Sequence, residues 1–342
     1  MTEQYPFVSL VLPVRNEEKF IDSCLQALVS QDYPHEKFEI LIADGYSTDL
    51  TRDLISKFDS TLPNIFIFDN PGLIVPTGLN ILIRQAKGQF IIRVDGHTVI
   101  APDYVRQCVT ALIGSGAENV GGKMTAVGSN VFGKAVAVAT SVPFGIGNAR
   151  FHYSNQEEYV DSVYLGAWPI HVFKKIGLFD EELVRDQDDE FNYRLRSFGG
   201  KILLSPRINS WYTVRGKPLL LWKQYFQYGY WKVRVLQKHP RQMSLRQFIP
   251  PAFVLAIVAS LIISSAVSWG WVSLVAIAGL YLVVNLLFSF SIASKKGWQL
   301  LRHLPIAFSI IHLSYGLGFL IGLFKFMNRW NDKEGKVPAW EQ

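Results

Sequence analysis

"FVSLVLPVRNEEKFIDSCLQALVSQDYPHEKFEILIAD", residues 7–44, is the stretch whose reading decides the fold. "FVSLVLPV" reads as a buried strand. "EEKFIDSCLQALVSQ" then spaces its apolar residues by three and four, as one face of a helix does. "FEILIAD" is a strand again. The alternation continues with a helix in "TDLTRDLISKF", a strand in "NIFIFD", a helix in "GLNILIRQAKG" and a fourth strand in "QFIIRVD". From Phe7 to about Asn130 this predicts an α/β domain, Rossmann-like, with a mostly parallel sheet and helices on both faces. Such sheets bind ligands at the carboxyl ends of their strands.

The chain has 342 residues, a net charge of +6 and 49% hydrophobic residues. A length of this order suits about two domains. The basic balance suits acidic partners such as phosphates or anionic lipid. The apolar content points to membrane segments and away from a nucleic-acid binder. Cys24 and Cys108 lie in helical patterns and read as small buried residues of a reducing compartment, not as a disulfide. No Cys/His cluster suggests zinc. "FVSLVLPV" contains proline and has no basic flank, so it is not a signal peptide, and the first domain is expected to stay in the cytoplasm.

The second half differs. Lys217 to Arg246 holds seven basic residues and no acidic one. Leu219, Trp222, Phe226, Tyr230 and Val233 recur through it at helical spacing. An aromatic, basic, amphipathic helix is expected to lie on an anionic membrane surface; packing as a solvated helix on the domain is the other reading. Gln247 to Ser294 carries no charge and suits two spanning helices with a turn at "SWGW", residues 268–271. Trp269 and Trp271 would sit at the interface. Leu304 to Phe324 is long enough for a third. The loop with Lys295, Lys296 and Arg302 belongs in the cytoplasm by the positive-inside rule. Three spans then leave the C-terminus outside, although Lys325, Arg329, Lys333 and Lys336 count against that. The expected organisation is a cytoplasmic catalytic domain over 1–215, an interface segment over 216–247, a transmembrane region of about three helices over 248–327 and a polar tail over 328–342.

A dinucleotide-binding sheet would need glycines in its first turn. "LPVRNEE", residues 12–18, has none, which argues against a dehydrogenase. Four further motifs follow in order: "ADGYSTDLT" (43–51), "RVDGH" (93–97), "YLGAWPIHVFKKIGLFDEELVRDQDDEFNYRLRSFGG" (164–200) and "YTVRGKPLLLWKQYFQYGYWKVR" (212–234). Together they resemble the family 2 glycosyltransferases of GT-A fold, and most of all the membrane-anchored ExoA-like group of bacterial exopolysaccharide synthesis. The resemblance implies that Pro13, Val14, Arg15 and Glu17 line a uridine pocket, with Glu17 near the ribose, whose hydroxyls a carboxylate can accept. Glu17 equally suits the positive end of a helix. Asp44 would accept a hydrogen bond from the base, though Ala43 replaces the first aspartate of the usual pair and Tyr46 is inserted. Ser47, Thr48 and Asp49 read as well as helix caps. Asp95-Gly96-His97 stands where the family has DxD. Asp95 would contact a divalent cation, Mg²⁺ or Mn²⁺, and the ribose, while His97 completes the site directly or through water.

Counting back from Arg194, the resemblance makes Asp188 the catalytic base, with Gln187 in place of the family's glutamate. Asp189 and Glu190 add like charge, which should raise at least one of their pKa values. Glu190 is also spaced for a helix salt bridge to Arg194. Gly166 and Trp168 are expected to shape the sugar pocket, the indole face against the ring. Arg215 reads either as a ligand to a phosphate of the acceptor or leaving nucleotide, or as a membrane-surface arginine. Gln227 and Trp231 do not have the spacing of the QxxRW motif of processive synthases. The expected activity is an inverting, metal-dependent transfer of one hexose per cycle from a nucleotide sugar, by resemblance a UDP-hexose. The acceptor would be a polyprenyl-diphosphate-linked saccharide at the bacterial inner membrane, where other polysaccharide-assembly proteins could be partners. The alternatives are a polyprenyl-phosphate hexosyltransferase and an inactive membrane scaffold. The departures at Ala43, His97 and Gln187 motivate the scaffold, and retention of Asp44, Asp95 and Asp188 argues against it.

Overall fold

The structure is a computed structural model that describes residues 5–59, 64–267, 269–333 and 335–340. Ser268 of the expected turn, and Glu334, Glu341 and Gln342 of the expected tail, lie outside the described residues. The chain runs through β1 (Val8–Val14), α1 (Ile21–Val29), β2 (Phe38–Asp44), α2 (Thr51–Asp59), β3 (Ile65–Asp69), α3 (Val75–Gln85), β4 (Phe90–Arg93) and β5 (Thr98–Ile100). It continues through α4 (Tyr104–Ser115), β6 (Asn119–Val127), α5 (Val131–Ala139), α6 (Pro143–Ile146), β7 (Glu158–Tyr159), β8 (Tyr164–Pro169), α7 (His171–Ile176), α8 (Gln187–Ser197) and β9 (Ile202–Thr213). It ends with α9 (Pro218–Lys238), α10 (Ile249–Ala266), α11 (Trp271–Lys296) and α12 (Leu304–Lys325). Two compact units result: Met1–Thr125, Arg150–Tyr212 and Gly335–Gln342 form the first, Ala126–Ala149 and Thr213–Glu334 the second.

The first unit holds a mixed sheet of strand order β3-β2-β1-β4-β8-β6-β9-β5, with β7 beside β9. β3, β2, β1 and β4 are parallel, Leu10 lying between Ile40 and Ile92. β8 runs antiparallel to β4 and β6. The expected βα alternation is therefore present, and its physical cause is visible in β1. Leu10 and Leu12 pack toward α1 and α4, whereas Val11 packs toward α3. A strand covered on both faces has no polar side, so its sequence is a continuous apolar run. Each such side chain contributes about 1.5–3 kcal/mol by leaving water. Cys24 and Cys108 are free and buried, and burial pushes both thiols up, as the reading of small core residues requires.

The end of the chain belongs to this unit too. Leu178 N–H donates to Pro338 O (3.1 Å), Glu181 N–H to Lys336 O (2.8 Å) and Lys336 N–H to Asp180 Oδ1 (2.9 Å). Lys174 lies over the ring of Trp340. Nothing in the composition of "GKVPAW" announces this pairing.

In the second unit α9 packs along α12. A β-carbon on Gly229 would stand 2.0 Å from Tyr315 O, one on Gly318 2.1 Å from Phe226 O and one on Gly322 2.7 Å from Tyr230 O. The glycines let the two backbones touch, as small residues do between membrane helices. The predicted amphipathic stripe is thus largely used within the protein: Tyr230 and Val233 pack with Phe319 and Phe326, while Leu219 remains 76% exposed. Three helical stretches, Leu245–Ala266, Trp271–Lys296 and Leu304–Lys325, are long and apolar enough to cross a membrane. Replacing Gly229 with Val is expected to cost about 1–3 kcal/mol by overpacking. It should lower the Tm of the detergent-solubilised protein, whereas Gly279→Ala, which meets open space, should not.

Candidate active site

Because β1, β2 and β4 are parallel neighbours, their carboxyl ends deliver three loops to one edge. Polar contacts bind the first two loops to each other. Asn16 N–H donates to Ser47 Oγ (2.9 Å), Thr48 N–H to Asn16 Oδ1 (2.8 Å), Glu17 N–H to Thr51 Oγ1 (2.7 Å) and Glu18 N–H to Asp49 Oδ2 (3.2 Å). Asp49 also accepts from Thr51 N–H, the capping role read from the sequence. The third loop lies on the first: a β-carbon on Gly96 would meet Val14 and Glu17 at 3.0 and 3.1 Å. His97 Nδ1 lies 2.9 Å from Glu17 Oε1. Pro13 and Val14 are buried, so they offer a ligand mainly backbone, while the Arg15 side chain is exposed. Tyr46, the inserted residue, takes a left-handed φ of 51° and is half-exposed.

Arg93 organises the centre. Its buried guanidinium donates from Nε to Asp95 Oδ1 (2.8 Å) and from an Nη to Asp95 Oδ2 (3.2 Å). Burial alone would raise the Asp95 carboxyl, but Arg93, with lesser help from His97 and Arg185, outweighs it and holds the group below the usual carboxylate range. The same guanidinium acts on Asp188, the second residue of α8. There desolvation dominates and pushes the carboxyl up, Asp189 and Asp95 add to the rise, and Arg93 and the Asp189 N–H oppose it. Asp95 and Asp188, 93 residues apart in sequence, are thus brought within the field of one cation. Thr98 Oγ1 and Tyr164 Oη, 2.7 Å apart, flank this group. Arg93, Thr98, Tyr164 and Arg185 were not singled out from the sequence. A basic residue two before Asp95, on the same face of a strand, was the signal available for Arg93.

Several expected site residues have other duties. Asp44 is 1% exposed and its carboxylate accepts from Ser47 Oγ (2.6 Å) and Ser47 N–H, so it closes the turn after β2. Trp168 is 3% exposed and stands edge-on to Phe173, Phe179 and Phe191 in the core, so it forms no sugar platform. Gly166 has φ +92°, and a β-carbon there would lie 2.3 Å from the Trp168 ring; it makes room for the indole. Glu190 is 1% exposed and holds Arg194 through two 2.9 Å contacts, and Arg194 Nη2–H continues to Leu178 O (2.7 Å). Glu190 is the helix salt bridge, whereas Asp189, which follows Asp188, raises its neighbour's carboxyl. Arg215 follows β9 and belongs to the second unit.

Among the described residues no cluster of three His, Cys, Asp or Glu could hold a metal ion. Asp95 and His97 therefore do not make a resident cage. They do fit an ion that brings phosphate oxygens with it, the usual manner of Mg²⁺ binding. A proton on His97 Nδ1 shared with Glu17 leaves Nε2 as a lone pair, the state in which imidazole can ligate.

The Arg93–Asp95 pair also has a stability consequence. A carboxyl held below its unfolded value contributes stability that is present above about pH 3.9 and lost as pH falls through the lowered folded value. Arg93→Met, which leaves Asp95 without its cation, is expected to cost about 3–5 kcal/mol at neutral pH. Adding Asp95→Asn should restore part of it. Urea unfolding at pH 7 and pH 3 checks both, and an unchanged midpoint in Arg93→Met would refute the pairing.

Comparison with known proteins bears on this geometry. Residues 9–166 match the family described as Glycosyl transferase family 2. The chain is 28% identical over 323 residues to the succinoglycan biosynthesis protein ExoA of Rhizobium meliloti (strain 1021), covering 94% of this chain and 96% of that one. It is also 28% identical over 327 residues, 93% and 98% of the two chains, to the dolichyl N-acetyl-alpha-D-glucosaminyl phosphate 3-beta-D-2,3-diacetamido-2,3-dideoxy-beta-D-glucuronosyltransferase of Methanococcus voltae. The solved mannosyltransferase PcManGT of Pyrobaculum calidifontis, in complex with GDP-Man and Mn²⁺, superposes with a TM-score of 0.54 at 17% identity over 90% of this chain and 87% of that one. The fold is GT-A. The family match runs from β1 into β8, and with nearly full-length likeness to two proteins of glycan synthesis it makes the chain a glycosyltransferase similar to those of family 2.

Proposed function

We propose that the enzyme transfers one hexose from a nucleotide sugar, with inversion, to a polyprenyl-diphosphate-linked saccharide at the cytoplasmic face of a bacterial inner membrane, in exopolysaccharide synthesis. The observation that carries the catalytic reading is the pairing of two unlike acids on Arg93: Asp95 held ionised, Asp188 pushed up. Two carboxyl groups with opposed shifts suit two different tasks. The likeness to a succinoglycan biosynthesis protein supports the product class, and the name of the archaeal relative supports a lipid-linked acceptor. The apolar helices support membrane attachment. UDP as the nucleotide rests on the motif resemblance alone.

In this reading the acceptor hydroxyl oxygen bonds to the anomeric carbon as the bond from that carbon to the diphosphate breaks. The nucleoside diphosphate leaves with the electron pair, and the hydroxyl proton passes to the Asp188 carboxylate. A base whose pKa is raised toward working pH takes that proton more readily while still being ionised. Asp95 and His97 would hold a divalent ion, which when bound offsets charge on the diphosphate. Glu17 fixes the His97 ring, and Arg93 keeps Asp95 ionised.

Purified enzyme in detergent, given labelled UDP- and GDP-sugars and a polyprenyl-linked acceptor extract, should move label into a glycolipid with one donor, and only with Mg²⁺ or Mn²⁺. The product mass separates an extended saccharide from a simple lipid-phosphate sugar, the outcome that would favour a polyprenyl-phosphate hexosyltransferase. Asp188→Asn should lower transfer by roughly 10²–10⁴-fold with nucleotide binding retained. Full transfer by that variant would remove Asp188 from the mechanism.

The pH profile supplies a second check. The acidic limb of kcat/KM should lie above the ordinary aspartate value of about 3.9. Arg93 is the largest influence lowering Asp188, so Arg93→Met should move that limb to higher pH. A limb that stays in place would show that Asp188 is not the titrating group.

A further inference from the structure

The geometry points to residues 335–340 as a strap that positions the catalytic base: it holds the loop between α7 and α8 and so sets where Asp188 stands. The inference rests on the reading of Asp188 as that base. The strap follows the last apolar helix in sequence, yet it folds within the first unit. Its backbone is bonded to the loop. Lys336 uses both of its peptide groups there, its N–H on Asp180 Oδ1 at 2.9 Å and its carbonyl on the Glu181 N–H at 2.8 Å. Pro338 O takes the Leu178 N–H at 3.1 Å. A β-carbon on Gly177, whose φ is +80°, would stand 3.0 Å from Val337 Cγ1 and 3.3 Å from Pro338 O. Trp340 packs against the core cluster that contains Phe179 and, from α8, Phe191.

The residues gripped by the strap are also the ones that fix α8. Arg194, on the same helix as Asp188, donates from Nη2 to Leu178 O (2.7 Å) and from Nη1 to Ile176 O. Leu178 is thus tied by its N–H to the strap and by its carbonyl to the helix of the base. Asn80 of α3 binds the next residue, accepting the Phe179 N–H and donating to Phe179 O, both at 2.9 Å. Asp180 Oδ1 also accepts the Glu182 N–H (3.0 Å), and Asp180 O accepts the Leu183 N–H (3.2 Å). Leu178, Phe179, Asp180 and Leu183 are all buried. Asp186 then turns the chain into α8 with φ +60°, and its carbonyl takes the Glu190 N–H at 3.0 Å. With the strap loosened, the N–H groups of Leu178 and Glu181 and the Oδ1 of Asp180 lose these partners. Buried polar groups do not stay unpaired, so the loop must shift to find others.

Such a shift bears on catalysis before it bears on binding. A general base has to stand within about 2.6–3.2 Å of the hydroxyl it serves, and a misplacement of about 1 Å can cost about 10²-fold in rate. Asp188 is the second residue of α8 and moves with the loop that leads into it. The donor side has ties of its own. Asn16, Ser47, Thr48 and Asp49 join the first two loops, and Arg93 holds Asp95. Loosening the strap therefore lowers turnover while nucleotide binding is kept. The strap acts through its backbone and Trp340, since the Lys336 side chain is exposed. That separates two substitutions at one position: proline removes the bonded N–H, and alanine keeps it.

Full-length Lys336→Pro, Lys336→Ala and Trp340→Ala test this beside wild type in detergent. Three quantities are read: transfer of labelled sugar to the acceptor extract at saturating donor, affinity for the nucleotide of the donor that wild type uses, and hydrogen exchange of residues 178–188. Lys336→Pro and Trp340→Ala should lower transfer by roughly 10–100-fold, quicken exchange in 178–188 and leave nucleotide affinity unchanged. Lys336→Ala should match wild type. In an Asp188→Asn background Lys336→Pro should cost nothing further, because the group it displaces is already gone. Wild-type transfer by either strap variant, or an equal further loss in the Asp188→Asn background, would overturn the inference and leave the impairment of Asp188→Asn to support the base by itself. Loss of nucleotide affinity together with transfer in both strap variants would overturn it too, as the sign of general unfolding. Full transfer by Asp188→Asn alone would overturn both readings.

Discussion

The contact between Arg93 and Asp95 is the constraint on which the site depends. A buried guanidinium is tolerated only beside a partner, and a buried carboxylate likewise. Placed two residues apart at the end of β4, they satisfy each other with two hydrogen bonds. The pair fixes the charge of Asp95 without any ion, and it opposes the rise of Asp188 from the far side of the sequence. Without the cation, burial and two neighbouring acids would be opposed on Asp188 by the Asp189 N–H. One strand end thereby acts on the carboxyl groups of both sides of the site.

That strand end is held in place by backbone. Val8 pairs with Phe38 on one side and Phe90 on the other, and the register carries forward without slippage to Val14 opposite Asp44. A shift of one residue would turn every core side chain of β1 toward the other face, so the apolar pattern itself fixes where the three loops emerge. Asn16, Ser47, Thr48 and Asp49 then tie the loops by short polar contacts whose partners are set by that register. Asp44 serves the same purpose.

Much of this was legible in the sequence because it is periodic or local. Strands covered on both faces read as apolar runs, and β1 to β4 were found that way. Asp95 and Asp188 were legible only through the order of five motifs, since no spacing rule joins positions that far apart. What escaped is what tertiary packing decides. Trp168 in isolation reads equally as a sugar platform or a core residue, and three phenylalanines from α7, α8 and the stretch between them settle it. Glu190 could crowd a neighbour or pair with Arg194, and the choice depends on where carbonyls at 176 and 178 stand. Residues 126–149 sit in mid-domain by sequence, yet they fold with the apolar helices. Phe144 stacks on Phe288 at 4.3 Å, and its carbonyl lies 2.8 Å from His312 Nε2.

Those apolar helices obey the same accounting for polar groups as the sheet. An amide such as Asn285 on a lone span would leave its N–H groups unpaired in hydrocarbon, at a cost of several kcal/mol each. Here they donate to Pro305 O and Ser309 Oγ at 3.1 Å, and Tyr281 Oη lies 3.0 Å from His312 Nδ1. These bonds run from α11 to the first half of α12, and the glycine contacts run from its second half to α9. α12 is therefore bound along its whole length by protein, through hydrogen bonds at one end and close backbone approach at the other. Hydropathy counts side chains and is blind to both.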